Sequence, residues 1–108
     1  MNFIDLFSLS LHKAVAERML LDEEAIVRTA KSNLDRWLNS TDASPHGRTA
    51  LLEWKRILEH WPPADIRRLI SAETDEAQRL RASSPFTGIL SQQERKEIYD
   101  RCAEIIPV

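Results

Sequence analysis

Cysteine occurs once in these 108 residues and glycine twice. With Cys102 alone, no disulfide can close within the chain and no cysteine-based zinc site can be assembled, so a reducing cytoplasm is the compartment that fits. Gly47 and Gly88 stand far apart, which excludes a phosphate-cradling P-loop and a dinucleotide fingerprint, since both need glycines at fixed short spacing. An excess of one charge is missing too. The 15 basic and 17 acidic residues leave a net charge of -2, so any hold on nucleic acid or anionic lipid would rest on a local patch. No apolar run reaches the roughly 20 residues of a membrane span. The apolar start is broken by His12, Lys13, Glu17 and Arg18, and Asp5 sits where a signal peptide carries basic residues, so we read this segment as a core helix.

What is present is helical periodicity. Hydrophobic residues at 43% and charged residues at 30% support one buried core, and 108 residues are too few for a second, so a single domain spans 1-108. Ile4, Phe7, Leu11, Val15 and Met19 share one face of a first helix over about 2-21, with Leu6, Leu9 and Leu20 widening the stripe. Asp22 is placed to cap a second helix reaching about Asn39, with Glu23 and Glu24 in its first turn and Ile26, Val27, Ala30, Leu34, Trp37 and Leu38 inward. The polar stretch 39-48 reads as a mobile loop. Gly47 weakens the turn after Ser44-Pro45, so regular helix is expected from near Thr49.

Leu51, Trp54, Leu58 and Trp61 then mark a helix stopped by Pro62-Pro63, and Ile66, Leu69 and Ile70 a short one after it. Thr74 caps a further helix carrying Ala77 and Leu80. Ser91-Gln-Gln-Glu94 is a capping box that launches the last helix, which buries Ile98, Cys102 and Ile105. No alternating pattern of a strand occurs. The expected fold is all-α, a compact bundle of five or six helices.

Chemistry-bearing constellations are few. His12, His46 and His60 lie on different elements with no partner histidine at helical metal-site spacing, so no metal is expected and each is read as solvated or hydrogen-bonded within the fold. Cys102 falls on an apolar face, where it acts as a small hydrophobe, and Ser83, Ser84 and Ser91 have turn and cap roles open to them. Arg56 and His60 resemble the arginine-histidine pair of helical ribonucleases, but that pair is more widely spaced than the three residues between them here. No catalytic set emerges, so neither enzyme activity nor a cofactor is expected.

The stretch 65-81 has the outline of a helix-turn-helix with Arg79 and Arg81 on its second helix. Asp75 and Glu76, however, would face phosphate at that helix's start. This is the alternative reading, a small DNA-binding regulator. Trp37, Trp54 and Trp61 read first as residues of one core, with one of the two on the helix ended by Pro62-Pro63 open to serve as an interface anchor; with the wide apolar surface of the first helix, this points to a protein interface. Aromatic, arginine and histidine positions near helix ends single out Phe3, Phe7, His60, Trp61, Arg79, Arg81, Phe86 and Arg95 for partner contact.

The segment RLRASSPFTGILSQQER, from Arg79 to Arg95, resembles a block found in small bacterial antitoxins of toxin-antitoxin pairs. The matching residues are Arg79, Arg81, Ser84, Pro85, Phe86, Gly88, Leu90, Glu94 and Arg95, with a looser likeness at Asn33 to Trp37 and Leu51 to Leu58. The resemblance implies a cytoplasmic protein that binds and neutralises a co-encoded toxin. A homodimer is compatible with it, and a membrane role is not.

Overall fold

The computed structural model describes residues 1-40 and 44-107, and five α-helices order them: α1 Phe3–Leu38, α2 Pro45–His60, α3 Pro63–Ser71, α4 Asp75–Arg81 and α5 Gln92–Ile105. Among the described residues there is no strand. The two helices expected over 2-39 are both present and meet at Asp22, whose backbone leaves helical space at φ -152° and ψ 67°; α1 denotes the two segments together with the kink between them. Asp22 caps the second segment as expected, its Oδ1 accepting from the Ala25 N–H at 3.4 Å.

α2 starts earlier than expected. Ser44 accepts from the Gly47 N–H at 3.0 Å and Pro45 takes the first turn, so the cap outweighs the conformational cost of Gly47 and positions 45-48 are helix rather than loop. The rest of the expected mobile loop includes 41-43, which lie outside the described residues. The Pro62-Pro63 stop, the break before Thr74 and the capping box at Ser91 all stand. Ser91 Oγ accepts from the Glu94 N–H at 3.1 Å, and Glu94 accepts from the Ser91 N–H at 3.0 Å.

α1 packs against each of the other four helices. Its buried residues Val15, Met19, Ile26, Ala30 and Leu34 meet Trp54, Ile57 and Leu58 of α2, Ile66 and Ile70 of α3, and Leu80 of α4. Trp54 is wholly enclosed, and its Nε1–H donates to the Leu80 carbonyl at 2.8 Å, so its single polar group is satisfied. Three positions assigned to inward faces point out instead. Ile4, Leu20 and Ile105 are exposed, Leu20 where the helix breaks at Asp22 and Ile105 in the last turn of α5.

Between α4 and α5 the chain turns a corner over 82-91. Ser83 and Ser84 N–H groups bond back to Leu80 and Arg81, so helix ends at Arg81, and Pro85 starts no new one. Pro85 and Phe86 are buried, with the Phe86 ring edge-on to Trp54 at 5.8 Å. Gly88 holds φ +76°, a left-handed backbone that side-chain-bearing residues resist, and a Cβ there would meet no atom within 4 Å. The glycine is therefore needed for the turn and not for space.

Candidate functional site

The structure forms two concavities of interest, one on each side of α4. The first is a groove of about 260 Å³ where α2 ends over α3 and α4, with Ile57, Leu69 and Leu80 as an apolar floor. Pro62-Pro63 force the chain out of helix just beyond His60, which leaves Trp61 at the C-cap with 42% of its surface in solvent. Arg56, His60, Glu53 and Glu76 complete the wall. Arg79 clamps both acids, donating to the two Glu53 oxygens at 2.9 and 2.8 Å and to Glu76 at 3.1 and 2.6 Å. That pairing holds both carboxyls below their ordinary range and the guanidinium above its own. The groove thus combines an apolar floor, an exposed indole and a fixed ionic rim.

The second concavity, about 480 Å³, opens under the 82-91 corner. His12 sits at its inner wall, 7% exposed. Nδ1 lies 2.7 Å from the Ser8 carbonyl, which can only accept, so Nδ1 carries the proton; Nε2 then accepts from the Ser84 hydroxyl at 2.7 Å. Ser84 Oγ in turn accepts from the Phe86 N–H at 3.1 Å. Loss of hydration is the main cause that pushes His12 down to about 4, with the positive Arg81 adding to it against the Ser8 bond. The ring is therefore neutral at physiological pH. Ser84 lies against His12 as a nucleophile lies against a base. Yet a main-chain carbonyl orients the ring where a carboxylate would raise its basicity, and the Phe86 N–H draws on the Ser84 oxygen. We read the pair as a structural tie between α1 and the corner.

Asn33 ties the same corner from farther along α1. Its Nδ2 donates to the Pro85 carbonyl at 2.9 Å and the Thr87 carbonyl at 3.0 Å, while Oδ1 accepts from Arg36. Arg81 is 5% exposed, and its Nη1 donates to the Ala72 carbonyl at 2.6 Å and the Ile70 carbonyl at 3.3 Å. Among the described residues no carboxylate forms an ion pair with it; Asp5 and Glu73 attract it only from longer range, and loss of hydration holds the guanidinium below its ordinary value.

The eight residues singled out for partner contact fall in three places. His60 and Trp61 line the groove, with Arg79 bonded to its acids. Phe3 and Phe7 are half-buried and meet Tyr99 edge-on at 5.0 and 5.4 Å, fastening the start of α1 to α5. Arg81, Phe86 and Arg95 border the second cavity; the first two are buried in the fold and out of a partner's reach, and Arg95 is exposed at its edge. Sequence reading missed the His12–Ser84 tie and the buried Asn33. The one signal for His12 is its place three residues from both Leu9 and Val15, on the buried stripe.

Among the described residues no three His, Cys, Asp or Glu side chains stand close enough to hold a metal ion. No helix among them is long and apolar enough to cross a membrane. No protein-family model, curated protein or solved structure matches this chain.

Proposed function

We propose that the chain is a protein-binding module, an antitoxin that captures a co-encoded toxin through the groove at the end of α2. The observation that supports this most is Trp61, a large aromatic left 42% exposed beside an apolar floor and a rim of ordered charges. Exposed tryptophan with fixed arginine is the composition of interface hot spots, because such groups bury much area while losing little side-chain freedom. The DNA-binding alternative draws less support. Of its two arginines, Arg79 is neutralised by Glu53 and Glu76 and Arg81 is buried. The charge of Arg79 is therefore already paired, and Arg81 lies below the surface, out of reach of a phosphate backbone.

The partner to test is the product of the neighbouring gene. Co-expression should relieve that product's toxicity and yield a co-purifying complex. Trp61→Ala should weaken the complex by about 30-fold or more, as truncation of a hot-spot residue does, with the unfolding midpoint little changed because Trp61 lies outside the core. A well-folded chain that ignores the neighbouring product sinks the reading. Equal affinity in the Trp61→Ala variant moves the interface away from the groove.

A further inference from the structure

We propose that the cavity beneath the 82-91 corner is a binding site for a small molecule with an apolar body and one carboxylate, held by Arg81 within and Arg95 at the rim. The cavity's size of about 480 Å³ lies within the roughly 300-1,000 Å³ in which proteins enclose small ligands. Most of its wall is apolar, contributed by Leu11, Trp37, Leu51, Phe86, Ile89 and Leu90. No aspartate or glutamate lines it, whereas two arginines do. With His12 neutral, the charges on the cavity wall are positive, and the carboxylates of Asp5 and Glu73 that attract Arg81 stand outside that wall.

Arg81 has the chemistry left over for an anion. Its Nη1 is taken up by the Ile70 and Ala72 carbonyls, but Nε is buried with no acceptor, and Nη2 has none either among the described residues. Nε and Nη2 form one edge of the guanidinium, the edge that grips a carboxylate with two parallel hydrogen bonds. A buried donor without a partner is unfavourable, and the attraction of Asp5 and Glu73 reaches Arg81 without a direct ion pair. A carboxylate entering the cavity would take the Nη2–H directly and the Nε–H after a small shift of the side chain. Arg95, whose side chain has no partner among the described residues, adds a second positive charge at the opening. An uncharged or cationic ligand would leave both arginines as they are, so the charge pattern selects the acid.

This site is separate from the groove of the proposed toxin interface, and the two stand or fall independently. The test is calorimetric titration of the full chain with decanoate, decanol and decyltrimethylammonium, each below its aggregation concentration, with Trp37 fluorescence as a second readout. Decanoate should bind saturably and about tenfold or more tighter than decanol, the margin expected of charge-assisted hydrogen bonds, and the cation should not bind. Arg95→Gln should narrow that preference with an unchanged unfolding midpoint. Arg81→Lys should lose most of it, since an ammonium lacks the paired donors; should that variant unfold, Arg95→Gln and Ile89→Trp, which fills the cavity, decide the matter. Equal binding of decanoate and decanol, or no saturable decanoate binding by the folded chain, overturns the proposal.

Discussion

His12 is neutral in the fold while its unfolded counterpart titrates near 6.5, and that difference makes stability depend on pH. As pH falls, the unfolded chain takes up the proton first. The His12 contribution is complete above about pH 6.5 and is lost as pH falls toward about 4, amounting to about 3 kcal/mol over that interval. Glu53, Glu76 and Glu94 are held below their usual 4.5 by Arg79, Arg79 and the Ser91 N–H respectively, so their stabilisation fades only at lower pH. The interval just below pH 6.5 therefore belongs to His12. Urea unfolding across it should show stability falling for the natural chain and nearly level for His12→Gln, whose amide can make both hydrogen bonds without titrating. Parallel slopes for the two proteins would contradict the assignment. At this scale the sequence shows a histidine on an apolar stripe, but its partner Ser84 lies 72 residues away and only the fold brings it there.

Individual elements owe their limits to local chemistry, and these limits were largely legible. Prolines cannot donate to the ladder, so Pro62-Pro63 end α2; Thr74 and Ser91 carry the hydroxyls that open α4 and α5. Where two local tendencies competed, at Ser44 and Gly47, the cap prevailed and α2 gained a turn. At Asp22 the cap ends one helical segment and opens the next as the sequence indicates, and the buried residues on either side, Met19 and Ile26, belong to one core. The capping box has a measurable worth. Ser91→Ala should lower stability by about 1 kcal/mol. In a double-mutant cycle with Glu94→Gln the losses should not add, because Glu94 serves both Ser91 and Arg18. Additive losses would mean that the box is not formed in solution.

On the scale of the whole molecule, one long kinked helix touches every other element, so no part of the core can open without disturbing α1. Unfolding should accordingly be a single transition. Helix content by circular dichroism and the fluorescence of the buried Trp54 should report the same midpoint and slope in urea; separated transitions would show a subdomain that the shared core does not predict. The sequence by itself determined the all-α class, the single domain and most helix boundaries, because periodicity, caps and prolines act over a few residues. It left the ends of the apolar stripes wrong at Ile4, Leu20 and Ile105, since periodicity cannot tell where a neighbouring helix stops. Only the tertiary structure decided that Trp54 is enclosed while Trp61 is exposed, that Arg79 is paired and Arg81 buried on main-chain carbonyls, and that His12 and Asn33 fasten the corner. Each of these depends on contacts between residues far apart in the chain, and the geometry of packing sets them.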